Sequence, residues 1–453
     1  MRLGVSATAL LVVVVSLDAG CHTTPGEPMT TPTAPVPQTS SGSTASAAPG
    51  DPPSNAAPTA ADWPEDPTAA WPKGCLIEAA GVNPRWAWLA VGCTNAEAEQ
   101  GAVLVFDGDR RRLRTASTRH GYVGWGENRH LLRWHPDGDR LAVNVDTNGI
   151  GLLRRAQWVS ASYPDQTRDS GVSYVWVGDQ IFTDTGALFA LDDGEDHFDD
   201  APISPISLGK IELNAATGAV VGRTDDQGYL RGIGAFDPNT RTVRYHNRLQ
   251  DLKAGHAAWA TDGRGYAQIE FGPPDMLHIL DGDDGQARWS VRPSLPQVGW
   301  MWWGRDRLLA VHSRNGRGPS ARNVLDIVVG GRITKTIDLS PHQLRKPMGS
   351  SFEDMSQLAW SPDDKTLAVV LDDRKVRLFD VTQGTALTTF DAPAPAIPQG
   401  LPDHYRLDHL KRPRQEPGGI IWLSNDRLAR CAPHFVSLWT TQGEKLGEWT
   451  APD

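Results

Sequence analysis

The chain has 453 residues, with 45 Gly, 34 Pro, 17 Trp and a formal net charge of −10. Turn formers spread along its whole length without long helical periodicity, which argues for an all-β repeat architecture and against an α/β enzyme. The modest acidic balance supplies no basic field for nucleic acid and serves solubility.

At the N-terminus, Arg2 precedes an apolar run from Leu3 to Leu17, followed by Asp18-Ala19-Gly20-Cys21. This is the layout of a secretion signal, and the run is short for a permanent membrane span. Its end resembles bacterial lipoprotein signals, which implies a signal over residues 1–21 and a lipid on Cys21 as the first residue of the mature protein. Asp18 departs from that pattern, which has an apolar residue three before the Cys; Leu17 stands one position too early. Ordinary cleavage and an uncleaved anchor are the alternatives. Residues 22–70 are Pro, Thr, Ser, Ala and Gly with almost no large apolar side chain before Trp63. Such a segment buries too little surface to offset its ordering entropy and is expected to be a disordered, extended tether, leaving residues 71–453 as the folded body.

Cys75 and Cys93 lie equally far from Pro84, within a strand, turn, strand pattern that places them on neighbouring strands at disulfide distance. The rival pairing joins Cys75 to Cys431 if the N-terminal strand meets the last repeat. Cys431 left alone reads as a small buried hydrophobe.

Two distant segments share one pattern, Trp134-His-Pro136-Asp137 with Leu141-Ala142-Val143, and Trp360-Ser-Pro362-Asp363 with Leu367-Ala368-Val369. Each reads as a hairpin in which a Trp ends one strand and a Pro-Asp turn reverses the chain. Such a hairpin cannot bury its face alone, so recurrence implies stacked similar units. Further hairpins are expected at 103–114, 149–158, 210–223, 233–245, 277–289, 324–337, 376–390 and 435–449, each as the outer pair of a unit. The fullest unit runs from Leu358 to Phe390.

That unit is similar to WD repeats, whose blades end in an apolar-aromatic-Asp step; Leu378-Phe379-Asp380 and Val105-Phe106-Asp107 carry it. The Gly-His pair that opens many WD repeats is missing, and with it that family's buried His network. A second signature, Leu280-Asp281 with Gly285 and Trp289, resembles the quinoprotein-type repeat. The implied fold is a single β-propeller of four-stranded antiparallel blades, seven favoured and eight the alternative.

The acidic run from Asp192 to Asp200 and the Asp281-Gly-Asp283-Asp284-Gly285 turn match no defined calcium loop and read as solvated loop and hairpin turn. Residues 392–419 form a Pro-rich, then basic insertion carrying His404, Arg406, His409, Lys411, Arg412 and Arg414, which reads first as a flexible exposed loop and otherwise as a contact for anionic headgroups or an acidic partner. In Trp300-Met301-Trp302-Trp303, alternation puts Trp300 and Trp302 on one side, Met301 and Trp303 on the other. Packing between adjacent blades accounts for this cluster without a ligand; one pair exposed on the channel mouth is instead a stacking surface for a sugar or peptide. The sequence contains no Gly-x-Ser-x-Gly elbow, His-Glu-x-x-His helix or phosphate loop.

The expectation is a monomeric, exported, lipid-anchored, non-enzymatic propeller without cofactor or metal. It would bind envelope proteins through Trp300, Trp302 and the basic residues of the insertion. The alternatives are a channel-site hydrolase or lyase acting on a glycan or lactone, and an assembly factor similar to outer-membrane barrel-assembly lipoprotein propellers.

Overall fold

The computed structural model describes residues 63–95, 99–121, 123, 132–145, 149–162, 173–191, 203–206, 208–226, 229–248, 254–260, 262–304, 308–316, 321–342, 344, 357–371, 373–393 and 419–452. They form eight antiparallel sheets, each built from strands consecutive in sequence. We number these blades I to VIII.

Blade I comprises Leu76–Val82, Trp88–Asn95, Gln100–Asp107 and Arg112–His120; blade II comprises Leu132–Trp134, Arg140–Val145, Gly149–Arg154 and Gln157–Ser162. Blade III has three strands, Tyr174–Val177, Gln180–Thr183 and Leu188–Phe189. Blade IV comprises Leu208–Leu213, Val220–Asp226, Tyr229–Asp237 and Thr242–Arg248; blade V comprises Ala254–Trp259, Gly265–Glu270, Met276–Asp281 and Ala287–Val291. Blade VI is formed by Gln297–Trp303, Leu308–Asn315, Arg322–Val329 and Arg332–Asp338, and blade VII by Leu358–Trp360, Thr366–Val370, Lys375–Asp380 and Thr385–Asp391. Blade VIII ends the ring with Gly419–Ser424, Arg427–Ala432, Phe435–Thr440 and Lys445–Thr450.

First strands of neighbouring blades lie side by side at six of the eight junctions, among them the one by which blade VIII returns to blade I. Each of the eight junctions holds its own buried apolar cluster. Between blades VIII and I it joins Ala429, Val436 and Leu438 to Ile77, Leu89 and Val91. A two-faced sheet needs a partner on each side, and a closed ring supplies one to every blade while leaving only short edges.

Blade number corrects the sequence reading, which favours seven. The hairpin at 210–223 is the inner pair of blade IV, whose outer pair lies at 233–245, and the short blade III fills the gap before it. The physical source of the confusion is Asn214. Its side-chain oxygen accepts from the backbone N–H groups of Ala216 and Thr217 at 3.0 and 3.2 Å. Asp107 and Asp237 close the outer turns of blades I and IV in the same way. An inner turn of blade IV thus carries outer-turn chemistry.

The apolar-aromatic-Asp step has a clear role in these outer turns. Its Asp caps the turn, and in blades I and IV it also meets an Arg seven residues later, Asp107 with Arg114 at 3.5 Å and Asp237 with Arg244 at 2.9 Å, as does Asp281, which follows Leu280, with Arg288 at 3.3 Å. Trp289 of the quinoprotein-like match packs over Gly331 of the next blade. Other aromatics on fourth strands dock similarly, Tyr245 against Gly285 and Trp449 against Phe106 at 5.0 Å.

The packed body begins before blade I. Trp63 is fully buried between blades I and II, its ring 5.2 Å from Trp134 and 6.1 Å from Trp88, its Nε1 donating to the Asp139 carbonyl at 3.2 Å. Glu65 pairs with Arg110, Arg112 and Arg114. Residues 63–70, which composition assigns to the tether, therefore lie on the body. One indole buries enough area to outweigh the ordering of a few neighbours. Trp71 packs at the other flank of blade I, in the junction with blade VIII, and donates to the Cys75 carbonyl at 2.8 Å.

Cys75 and Cys93 form a disulfide with Cα atoms 5.3 Å apart. Cys431 is buried with a free thiol in the same junction, where desolvation pushes the thiol up to about 12. Cys21, the rest of the signal, residues 22–62, the acidic run 192–200 and most of the basic insertion (394–418) lie outside the described residues.

Candidate interaction site

The site is built from the last residues of the first strands. In six blades a Trp stands at or near the end of that strand: Trp134, Trp176, Trp259, Trp303, Trp360 and Trp422. Each pairs with an apolar or aromatic residue opening the second strand, from Leu141 and Ile181 to Tyr266 and Leu428.

Five of the six reach back to the preceding blade in one geometry. Trp134 Nε1 donates to the Gly81 carbonyl at 3.2 Å and Trp176 to Arg133 at 3.0 Å. Trp303 donates to Ala258 at 3.0 Å, Trp360 to Trp302 at 3.1 Å and Trp422 to Ala359 at 3.0 Å. The acceptor is always the residue one before the ring position of the neighbouring blade. These bonds fasten adjacent blades near the axis and turn the indole N–H groups into the wall. Blades I and IV break the series with Val82 and Leu213. Next to the second break, Trp259 Nε1 is buried without a partner.

At that break the Arg133 guanidinium spans blade III to reach Glu212 of blade IV, at 2.9 Å from its carboxylate and 3.5 Å from the Ile211 carbonyl. Glu212 of this ion pair also lines a cavity of about 810 Å³, walled by the ends of the first strands and by the turns that follow them. Trp300, Met301 and Trp302 of blade VI, Trp360 of blade VII, Ile421 of blade VIII and Trp86 of the blade I turn are half-buried on this wall.

The alternation across Trp300 to Trp303 is visible in the packing. Met301 and Trp303 join the cluster toward blade V, and Trp302 the one toward blade VII. A bulge at Gly299 sets the register, because a β-carbon there would stand 2.5 Å from Nδ1 of His312. His312 is buried opposite Trp300, and desolvation lowers its imidazole to about 4, which keeps it neutral.

Trp300 and Trp302 thus sit together at the mouth. His404, Arg406, Lys411, Arg412 and Arg414 fall outside the described residues. Among the described residues, no group of three or more His, Cys, Asp or Glu side chains is placed to hold a metal ion, and no helix is long and apolar enough to cross a membrane. What sequence reasoning missed is the ring itself. Its signal was present, since each ring Trp is followed three residues later by Asp or Asn: Asp137, Asp179, Asp262, Asp306, Asp363 and Asn425. Only two of these copies also carry Pro-Asp and Leu-Ala-Val.

Comparison with known proteins gives one family match and several distant structural likenesses. The family model for the WD40 domain of anaphase-promoting complex subunit 4 matches residues 344–399, the blade VII region. No curated protein matches the chain. Among solved structures, Kluyveromyces lactis Hsv2 is 12% identical with a TM-score of 0.44, over 83% of this chain and 100% of that one. The C-terminal WD40 domain of Sif2 is 13% identical with a TM-score of 0.40, over 85% and 90%. Dihydro-heme d1 dehydrogenase NirN is 11% identical with a TM-score of 0.45, over 69% and 66%. The eight-sheet ring is a β-propeller, and its blade VII region is similar to a WD40 domain.

Proposed function

We propose that this propeller is a non-enzymatic interaction scaffold that binds partner proteins at the mouth lined by Trp300, Trp302 and Trp360, acts as a monomer, and is held at a bacterial envelope membrane through a lipid on Cys21. The observation that carries the binding half is the cavity of about 810 Å³ between the ends of the first strands, its wall rich in half-buried indoles. Aromatic side chains in a concave, partly dehydrated site are the usual anchors of protein recognition. The anchor half rests on the run from Leu3 to Cys21.

Crosslinking and capture from solubilised membranes tests the first half. Wild type recovers a specific partner, and the double variant Trp300→Ala, Trp302→Ala with an unchanged melt loses it; a folded wild type that recovers none overturns the reading. Mass spectrometry of the mature N-terminus tests the second. A lipid mass on Cys21 is expected, and an unmodified N-terminus elsewhere refutes the anchor.

A further inference from the structure

We infer that the turns of blades I and II dock on the phosphate headgroups of an anionic bilayer. The inference rests on the anchor half of the reading above and adds the surface by which the body meets the membrane.

Four turns meet on one face there, 83–87 and 108–111 of blade I with 135–139 and 155–156 of blade II, all within the described residues. Hydrogen bonds join them. The Gly108 N–H donates to the Ala87 carbonyl at 2.9 Å, Asn83 to the Gly138 carbonyl at 2.9 Å and Arg85 Nε to the Pro136 carbonyl at 3.3 Å. Ser117 Oγ of blade I reaches the Ala156 carbonyl at 2.6 Å. The N-terminal segment arrives on the same surface, where Trp63 Nε1 donates to the Asp139 carbonyl and Glu65 meets Arg110 and Arg112. Residues 22–62 separate that point from Cys21.

In or beside these turns Arg85, Arg110, Arg111, Arg112, Arg154 and Arg155 are exposed or half-exposed. Carboxylates are fewer. Arg110 and Arg112 share Glu65, and Arg154 and Arg155 share Asp139 at 3.7 and 3.3 Å. Asp107, Asp109 and Asp137 are taken by other arginines, Arg114, Arg427 and Arg140. Among the described residues, Arg85 and Arg111 have no carboxylate partner. Positive charge is therefore left over locally, in a chain whose net charge is −10.

Backbone preference does not explain these arginines. Arg111 and Arg155 have φ of 54° and 48°, and the position of Arg111, four after the turn Asp, is filled in blades V and VII by Gly285 and Gly384. The left-handed region disfavours a side chain, so glycine fits there better. Guanidinium groups spread over adjoining turns match an array of phosphates, and half-buried Trp86 among them suits headgroup depth. A lipid on Cys21 makes the encounter intramolecular, so weak single contacts suffice. Residues 83–87 also wall the cavity, so docking by this edge turns the mouth toward the bilayer, where a membrane-held partner meets it.

The test pellets the unlipidated chain from residue 22, which keeps the whole packed body from Trp63 onward, with vesicles of phosphatidylcholine alone or mixed equally with phosphatidylglycerol. Binding is expected to the mixed vesicles, to fall with added salt, and to be absent on phosphatidylcholine. Arg111→Gly and Arg155→Gly should each weaken it roughly fivefold. Because glycine suits both φ values, neither should lower the melting temperature; Arg85→Gln serves if a turn is disturbed. Arg292→Gln, exposed at the far end of the fourth strand of blade V, removes the same charge and should leave binding unchanged. Equal binding to both vesicles, no binding, an unaffected double glycine variant, or an equal loss with Arg292→Gln overturns the inference. Loss of partner capture in the double variant with vesicle binding intact also overturns it and assigns the arginines to an acidic protein. Vesicle binding beside an unmodified N-terminus refutes the lipid anchor alone.

Discussion

The indole nitrogen of Trp303 donates to the carbonyl oxygen of Ala258 at 3.0 Å, joining the inner strand of blade VI to that of blade V. One side chain thereby satisfies a buried carbonyl, fills the junction and fixes the angle between two sheets. Its recurrence at four other junctions makes it the repeating fastener of the ring.

Separating bond from volume should be straightforward at this position. Trp303→Phe removes the donor and keeps most of the ring, and should cost about 1 kcal/mol. Trp303→Ala also leaves a cavity and should cost about 3–5 kcal/mol. Urea unfolding of the three proteins measures both, and a Trp303→Phe protein as stable as wild type would show that the hydrogen bond contributes nothing.

A pH dependence follows from Glu78, on the first strand of blade I. Desolvation raises its carboxyl from 4.5 to about 7. The folded protein therefore keeps a proton that the unfolded chain has released, and stability falls as pH rises from 4.5 through 7. Glu78→Gln should raise the melting temperature at pH 8 by about 2–4 °C and leave it nearly unchanged at pH 4. A gain of equal size at both pH values would show that the carboxyl does not titrate with folding.

His312 works in the opposite direction. Its folded value, about 4 against 6.5, means that the unfolded state binds the proton first, so stability is lost as pH falls from 6.5 toward 4. Gly299→Ala should press on this imidazole and cost about 1–3 kcal/mol. NMR titration of His312 checks the depressed value, and a midpoint near 6.5 would contradict its burial.

The disulfide ties the first two strands of blade I across a separation of 18 residues. Replacing both Cys75 and Cys93 by Ser, or reducing the native protein, should cost about 3 kcal/mol in equilibrium unfolding. Cys431→Ala serves as the comparison, since it removes a buried thiol without opening a loop. A melt indifferent to reductant would mean that the bridge adds nothing to the ring.

Trp63 provides a fifth test. Trp63→Ala should destabilise the body by about 3–5 kcal/mol and expose the chain near Pro64 to protease. Unaltered melting and cleavage would show that residues before Trp71 contribute no packing.

The hairpins were legible because Pro-Asp and Asp-Gly turns state their chemistry locally, and the aromatic-Asp steps because capping needs a carboxylate at a fixed offset. The inner hairpin at Trp134 and the complete unit from Leu358 were therefore read as they stand. Blade III was not, since strands as short as Leu188–Phe189 give no periodicity to detect. The cavity was harder still. It gathers Trp86, Glu212, Trp302 and Ile421, residues distant in sequence that meet only when the ring closes. Trp63 was hidden by its neighbours, whose composition speaks for a linker while one side chain does not.

The ring closes without exchanging a strand between its first and last blades, and the first strand of blade I and the residue after the last strand of blade VIII are pinned to one turn: Ile77 N–H to the Pro433 carbonyl at 2.8 Å, Ala451 N–H to the His434 carbonyl at 2.9 Å. A single tight turn of blade VIII therefore holds the innermost strand of one sheet and the outermost strand of its neighbour, so a change at Pro433 or His434 acts on two sheets at once.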